Sequence, residues 1–269
     1  METPPLRGGW EGLNMITEQG TVEIVINEKG IATIEFYHPM SNSLPGKILT
    51  KLAETITEAG KDKNVKVIIL KSKGEKAFCA GASFDELISI NDLETGTKFF
   101  SGFANVINAA RKCPKLIIGR VQGKAVGGGV GMASAVDFCY ATKGAAVKLS
   151  ELAVGIGPFV VGPAVERKIG TSAMSMLAIN ATEWYSADWA KEKSLYAETF
   201  ETIEEMDIVI DVLTNKLASS NPEAMGMLKT IFWQGTEHWD KLLIERAGMS
   251  GKLVLSDFTR NAINAFKGK

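Results

Sequence analysis

Short runs of β-branched and other apolar residues predict the strands of this chain. Val22–Ile26 and Ile31–Phe36 flank the turn sequence Asn27-Glu28-Lys29-Gly30, a combination that indicates a β-hairpin. Two later runs, Val65–Leu70 and Leu116–Val121, are mostly apolar and predict buried strands.

Between these strands, apolar residues recur at the three- and four-residue spacing of amphipathic helices. One helix is predicted from Pro45, which suits a first helical turn, to Gly60, which favours a stop. A second helix covers Thr97–Arg111. Strand, small-residue turn and helix thus occur twice, at Val65–Leu87 and Leu116–Val136. Strands that alternate with helices predict an α/β chain with a parallel sheet.

The last third of the chain is predicted to be mainly helical. Ser186 is placed to cap a helix over Ala187–Lys193, and Thr202–Ser219 forms one long periodic segment. Asn221-Pro222 begins another helix, because proline suits the first helical position. The segment Trp233–Lys269 contains two more.

Composition limits the classes of function. The chain has 269 residues, 45% of them apolar, and a formal net charge of −1, so no basic field for nucleic acid is expected. Three widely spaced cysteines and only two histidines predict free buried thiols and no metal site. No apolar run approaches the ~18 residues of a membrane span. Residues 1–20 are polar and glycine-rich, without a signal-peptide pattern. We therefore expect a cytoplasmic protein with no membrane partner and a flexible tail at residues 1–20.

A glycine run follows the strand Leu116–Val121. Gly127, Gly128 and Gly129 stand directly before a predicted small-residue helix, Val130–Val136. Backbone N–H groups at such a helix N-terminus can face a negative charge. The run is therefore a candidate anion-binding element.

Two nucleotide-binding motifs are alternatives to this anion-binding element. A dinucleotide fingerprint requires Gly-x-Gly-x-x-Gly, and Met132 stands where its third glycine should be. A P-loop requires Gly-x-x-x-x-Gly-Lys-Ser/Thr, and Gly123-Lys124-Ala125 lacks both the earlier glycine and the hydroxyl. Two interpretations of the glycine run stay open. It could form a hole for a developing oxyanion, or it could serve tight helix–strand packing, and the glycines by themselves favour packing.

Four segments, taken in order, resemble the crotonase superfamily of enoyl-CoA hydratases and isomerases. They are His38-Pro39-Met40-Ser41-Asn42-Ser43-Leu44, Ala77-Phe78-Cys79-Ala80-Gly81-Ala82, Gly127-Gly128-Gly129 and Ser150-Glu151-Leu152-Ala153-Val154-Gly155-Ile156. The resemblance covers residues 21–269, and the ordered set is far more specific than any one motif. It implies an α/β fold with a crotonase-like spiral core of ββα units at residues 21–195, which holds the active site. A helical C-terminal part at residues 196–269 would serve oligomerisation, as a homotrimer or a dimer of trimers.

The resemblance also implies the chemistry of the site. In this family the thioester oxygen of an acyl-CoA lies between two backbone N–H groups, which by position belong to Ala82 and Gly128. Fixed donors of this kind stabilise the charge of an enolate-like transition state. Glu151 is implied as the acid/base. The positions implied to contact the substrate are Ala80, Gly81, Ser83, Gly127, Gly131 and Pro158. Coenzyme A would be part of the substrate, with no separate cofactor and no metal.

The chain departs from the two-glutamate pattern of many hydratases in this family. The first glutamate position holds Gly131, the second holds Glu151, and Ser83 stands where an aspartate is usual. One carboxylate is enough to move a proton in a Δ3,Δ2-enoyl-CoA isomerase. It is also enough for hydration if the same group activates water and supplies the α-proton. An acyl-CoA-binding member without catalysis is the third alternative.

The closest likeness is to members resembling 3-methylglutaconyl-CoA hydratases. It rests on the glycine after Gly-Gly-Gly-Val, on the loop around Pro158 and on the segment Leu253–Ala262. We therefore expect a hydratase of a short or branched 2-enoyl-CoA, as used in fatty acid metabolism and branched-chain amino acid degradation. Gly131 is expected to leave room beside Glu151 for water or a branched acyl group.

Overall fold

The computed structural model describes residues 19–267, and the predicted tail at residues 1–20 lies almost wholly outside them. The described part contains eleven strands and ten helices. The strands are β1 (Thr21–Ile26), β2 (Ile31–Tyr37), β3 (Ser43–Leu44), β4 (Val67–Ser72), β5 (Ala77–Cys79), β6 (Gly81–Ala82), β7 (Leu116–Val121), β8 (Lys124–Val126), β9 (Phe138–Thr142), β10 (Val147–Lys148) and β11 (Glu198–Phe200).

Most of the ten helices match the predicted segments to within a few residues. The ten are α1 (Gly46–Lys61), α2 (Phe84–Ser89), α3 (Leu93–Lys112), α4 (Gly128–Ala135), α5 (Gly162–Ile179), α6 (Ala187–Glu192), α7 (Ile203–Ala218), α8 (Pro222–Phe232), α9 (Trp239–Leu253) and α10 (Asp257–Lys267). Of these, α2 and α5 were not predicted as separate helices. The predicted cap at Ser186 is confirmed, because its side chain accepts from the N–H of Trp189. Thr202, which was predicted only as the start of a periodic segment, forms a capping box with Glu205.

The main sheet has six strands in the order β1, β2, β4, β7, β9, β11. β1 and β2 form the predicted antiparallel hairpin, and every later pairing in this sheet is parallel. All six residues of β7 are buried, because both faces of the sheet are covered. Ile117 and Val121 face the main apolar core, while Leu116 and Ile118 pack in a second cluster with residues of α7. This double burial explains the mostly apolar runs in the sequence.

A second layer of short strands lies beside the main sheet. After each of β4, β7 and β9 the chain adds a short strand to a parallel three-stranded sheet in the order β10, β8, β5. β3 and β6 pair in parallel as a further two-stranded piece. The chain therefore winds through successive ββα turns, which confirms the spiral core expected from the sequence.

The C-terminal helices pack against this core. α9 lies along α3 so closely that a Cβ on Gly96 would be 2.9 Å from the Cα of Gly251. α10 lies against the chain at Gly155. β11, a strand that the sequence did not predict, extends the main sheet beyond β9. Within residues 19–267, no helix combines the length and the apolar character that crossing a bilayer requires.

Candidate active site

A cavity of about 480 Å³ lies where the glycine-rich turns of two ββα units meet. Seven of the nine predicted site residues line it: Ala80, Gly81, Ala82, Gly127, Gly128, Glu151 and Pro158. Five phenylalanines cover much of its wall: Phe84, Phe99, Phe100, Phe103 and Phe159. The cavity is therefore an apolar pocket that brings together the two glycine turns and one carboxylate.

Each glycine of the run that precedes α4 is in contact with a different neighbour. Gly127 has a φ of 52°, and a Cβ there would lie 2.9 Å from the Oε1 atom of Glu151. On Gly128 a Cβ would collide with the ring of Phe103 at 2.2 Å, and on Gly129 with the carbonyl oxygen of Cys79 at 2.5 Å. The run thus serves tight packing and also lets the glutamate approach the start of the helix.

Glu151 is the carboxylate of this cavity. It opens a 3₁₀ turn, Glu151–Val154, that ends at Gly155 in the left-handed conformation. Its Oε2 atom is buried and has no hydrogen-bond partner among the described residues. Burial raises the pKa of the Glu151 carboxyl from its ordinary value of 4.5 to about 7, against a smaller lowering by its own backbone N–H. A carboxyl with this pKa can both accept and return a proton near neutral pH.

The two backbone groups predicted as oxyanion donors also border the cavity. Gly128 is the first residue of α4, so its N–H has no partner inside the helix. Neither the Gly128 nor the Ala82 N–H donates to a turn, a loop or a side chain among residues 19–267. Ala82 follows Gly81 in β6, and its carbonyl accepts from the Ser43 hydroxyl at 2.8 Å. Both residues line the cavity, as the predicted role requires.

Two predicted substrate contacts do not line the cavity. The Ser83 side chain caps α2 by accepting from the N–H of Glu86, which accounts for a small hydroxyl residue at that position. Gly131 is buried, and a Cβ there would lie 2.6 Å from the Cγ1 atom of Val161. The expectation that Gly131 leaves free room beside Glu151 is therefore wrong, because Val161 occupies that space.

The sequence analysis missed the side chains that shape the cavity. Phe99, Phe100 and Phe103 lie within the predicted helix Thr97–Arg111, and their spacing on one face of that helix was the available signal. Lys148 and Thr182 also line the cavity and were not singled out. Lys71, near the end of β4, does not line the cavity and pairs with Glu35 at 2.9 Å.

Known structures share this fold. A crystal structure of enoyl-CoA hydratase from Bacillus halodurans superposes with a TM-score of 0.83 over 91% of this chain and 99% of that one, at 20% identity. This likeness identifies the α/β spiral as the crotonase fold. Residues 27–268 match the family described as enoyl-CoA hydratase/isomerase. The chain belongs to this family, and hence to the crotonase superfamily.

Curated relatives agree with that membership. A probable enoyl-CoA hydratase of Bacillus subtilis (strain 168) is 26% identical over 89% of this chain and 93% of its own length. The short-chain-enoyl-CoA hydratase of Clostridium acetobutylicum is 27% identical over 90% of this chain and 94% of its own length. The mitochondrial methylglutaconyl-CoA hydratase of Mus musculus is 30% identical over 73% of this chain and 63% of its own length. The chain is an enzyme of this family, and an acyl-CoA substrate is consistent with that.

Proposed function

We propose that the protein hydrates a short or branched 2-enoyl-CoA, with Glu151 as its one acid/base and coenzyme A present only as part of the substrate. The observation that carries the proposal is the Glu151 carboxyl, which lies in an apolar cavity beside Gly127 with its Oε2 atom lacking a partner. Similarity to proteins named enoyl-CoA hydratase over nine-tenths of the chain supports the same reaction.

In the proposed reaction Glu151 handles both proton transfers. Water adds its oxygen to the β-carbon while one of its protons passes to the carboxylate. The electron pair of the carbon–carbon double bond moves toward the thioester, and the N–H groups of Ala82 and Gly128 stabilise the resulting enolate oxygen. Glu151 then returns the proton to the α-carbon. The product is a 3-hydroxyacyl-CoA, with both hydrogen atoms and the oxygen of the water accounted for.

The Val161 side chain favours a second candidate, a Δ3,Δ2-enoyl-CoA isomerase. It fills the space beside Gly131, where the nearest side-chain atoms among the described residues are apolar ones of Val161 and Ile107. A single carboxylate moves one proton from the α-carbon to the γ-carbon without water. The two reactions differ in their demand for solvent oxygen.

Isotopic labelling in H₂¹⁸O separates these candidates and the non-catalytic acyl-CoA binder. A hydratase incorporates ¹⁸O into a 3-hydroxyacyl-CoA when given 2-enoyl-CoA esters. An isomerase converts 3-enoyl-CoA to the conjugated ester with solvent hydrogen and no new oxygen. A binder does neither, although CoA esters raise its melting temperature. Rapid conversion of 3-enoyl-CoA without oxygen uptake from any 2-enoyl ester would replace the hydratase proposal with the isomerase.

We also propose that the chain assembles as a homotrimer or a dimer of trimers. Support comes from α8, which exposes Met227, Leu228, Ile231 and Phe232 on its surface. Sedimentation equilibrium of the purified chain tests this assembly. Ile231→Lys, which puts a charge into that exposed patch, is expected to shift the mass toward the monomer, and a monomeric wild-type protein contradicts the proposal.

A further inference from the structure

Ala82, one of the two predicted oxyanion donors, lies in a strand of only two residues. This strand, β6, pairs with β3 in a two-stranded sheet that is separate from the main sheet. Gly81 precedes Ala82 and has a φ of 99°, in a region that glycine populates readily. The N–H of Ala82 belongs to the peptide group that follows this glycine. Its direction therefore depends on the contacts that hold the neighbouring backbone.

The next peptide group, between Ala82 and Ser83, is held at both of its polar atoms. Its N–H, on Ser83, donates to the carbonyl oxygen of Leu44 at 3.0 Å. Its carbonyl oxygen, on Ala82, accepts from the hydroxyl of Ser43 at 2.8 Å. Both contacts come from β3, one from its backbone and one from a side chain. β3 therefore fixes the peptide group that directly follows the donor.

Ser43 supplies the contact that depends on residue type. Any residue at position 44 has a carbonyl oxygen, whereas the bond to the Ala82 carbonyl requires a hydroxyl at position 43. Ser43 is half-buried and is not among the described residues that line the cavity. Its own N–H donates to the carbonyl oxygen of Met40 at 2.9 Å, which anchors its backbone. The Ser43 side chain thus reaches the cavity through Ala82 and not by touching a ligand.

We infer that Ser43 is a positioning residue for the oxyanion site, because its hydroxyl holds the Ala82 carbonyl and thereby keeps the Ala82 N–H directed at the thioester oxygen. This inference rests on the proposed function, in which Ala82 donates to that oxygen. A donor stabilises the transition state only when it is aimed at the atom on which charge develops. Loss of the hydroxyl leaves the peptide group with one of its two contacts to β3. The donor is then misdirected for part of the time but is not removed.

Three substitutions at Ser43 separate the hydroxyl from the shape of the side chain. Ser43→Ala removes the hydroxyl, and Ser43→Thr keeps it. Ser43→Val has nearly the shape of threonine without the hydroxyl, so Ser43→Thr and Ser43→Val form a matched pair. Ser101→Ala is the control at a distance. Ser101 is also half-buried and donates to a backbone carbonyl, that of Thr97 at 2.7 Å, but it does not line the cavity.

Binding of acetoacetyl-CoA tests the oxyanion site without any addition of water. The enolate of this ester shares its charge with the thioester oxygen and absorbs in the near ultraviolet. Wild-type protein is expected to raise the ratio of enolate to neutral ester above its value in free solution at the same pH. Ser43→Ala and Ser43→Val are expected to lower the ratio in the bound ester about 10-fold, which is less than the loss of a whole donor would cause. Ser43→Thr and Ser101→Ala are expected to stay within about twofold of wild type.

Steady-state kinetics with a 2-enoyl-CoA gives the second measurement. Ser43→Ala and Ser43→Val are expected to lower kcat about 10-fold with KM within about twofold, because the donor matters most in the transition state. A merely structural role would lower the melting temperature of the variants but would not change the enolate ratio at saturating ligand. Melting temperatures of all variants are therefore recorded beside the enolate ratios.

Three outcomes overturn the inference. The first is a wild-type protein that does not stabilise the enolate, and the second is an enolate ratio that stays unchanged in Ser43→Ala and Ser43→Val. The third is an equal loss in Ser43→Thr and Ser43→Val, which would assign the effect to side-chain shape. If 2-enoyl esters take up solvent oxygen while the ratio does not depend on Ser43, the inference fails and the proposed hydration stands. If the ratio depends on the hydroxyl but no 2-enoyl ester takes up solvent oxygen, the inference stands and the proposed hydration fails.

Discussion

At the scale of single residues, the Glu151 side chain lies in a buried environment that disfavours its ionised form. Its pKa of about 7 in the folded chain compares with 4.5 ordinarily. Between these values the folded state holds a proton that the unfolded state has released, so stability falls as pH rises from about 4.5 to about 7 and then levels off. The total cost above pH 7 is about 3 kcal/mol.

Glu151→Gln removes this titration. The variant is expected to gain stability relative to the wild type progressively between pH 4.5 and 7, with a constant difference above pH 8. Guanidinium unfolding of both proteins at a series of pH values measures this difference in the free energy of unfolding. The contributions of all other titrating groups cancel in the difference. A difference that does not change with pH would show that the carboxyl titrates normally.

The same substitution tests the catalytic role of Glu151. Because Glu151 must be ionised to accept a proton from water, wild-type kcat is expected to rise with pH through about 7. Glu151→Gln is expected to lower kcat at least about 100-fold, while the affinity for a saturated acyl-CoA stays near wild type. Near-normal turnover by the variant would remove Glu151 from the mechanism.

Gly127 is expected to be irreplaceable because it faces that carboxylate. Gly127→Ala places a methyl group 2.9 Å from Oε1 of Glu151 in a left-handed backbone conformation, and a displaced acid/base can cost about 100-fold in kcat. Gly74→Ala is the control, since Gly74 has a φ of 89° but open space around it. Both variants are expected to lose stability through backbone strain, but only Gly127→Ala is expected to lose activity. Equal losses of kcat in the two variants would contradict the role of the close approach between Gly127 and Glu151.

The sequence indicated the central residues of the site but not the space around them. Ala82, Gly128 and Glu151 fall in short motifs whose order along the chain is recognisable. The space next to Gly131 depends on Val161, which comes from the loop just before α5 and meets the glycine only after folding. A contact between residues 30 positions apart leaves no periodic signal in the sequence.

At the scale of secondary structure elements, α3 and α9 cross at glycines. A Cβ on Gly251 would lie 2.7 Å from the backbone N of Thr97, whereas one on Gly248, a turn earlier in α9, would be 3.9 Å from its nearest atom. Gly248→Ala is expected to stabilise the chain by about 0.5–1 kcal/mol, as alanine does within helices. Gly251→Ala is expected to destabilise it by about 1–3 kcal/mol, because the helices must separate. Denaturant unfolding of both variants measures these changes. Changes of the same sign in the free energy of unfolding would contradict the close crossing of α3 and α9.

Element length explains which parts of the fold could be predicted. The six-residue strands β4 and β7 and the sixteen-residue helix α7 carry enough residues for their periodicity to show. β6 and β10 have two residues each, so no pattern distinguishes them from a turn. These short strands position Ala82 and Lys148, and their arrangement could only follow from the resemblance to a spiral fold.

At the scale of the whole molecule, a buried ion pair joins the C-terminal helices to the spiral core. Asp137 lies between α4 and β9, and its Oδ2 atom pairs with Nζ of Lys229 in α8 at 2.6 Å. Both side chains are less than 5% exposed. Asp137 also accepts from the indole N–H of Trp233 at 2.9 Å and from the backbone N–H of Ile117 at 2.8 Å. The predicted division at residues 195 and 196 is thus bridged by a charged contact as well as by β11.

Lys229→Met tests this link. It leaves the Asp137 carboxylate buried without its cation, so we expect a loss of about 3–5 kcal/mol in the free energy of unfolding. Lys112→Met removes a cation from an exposed pair with Asp240 and is expected to cost less than about 1 kcal/mol. Combining Asp137→Asn with Lys229→Met removes both charges, and the loss is expected to be smaller than the sum of the two single losses.

Because the pair joins the two parts of the chain, circular dichroism and tryptophan fluorescence are expected to report one shared transition in every variant at fixed protein concentration. Separate transitions in Lys229→Met would show that the C-terminal helices unfold independently of the spiral core.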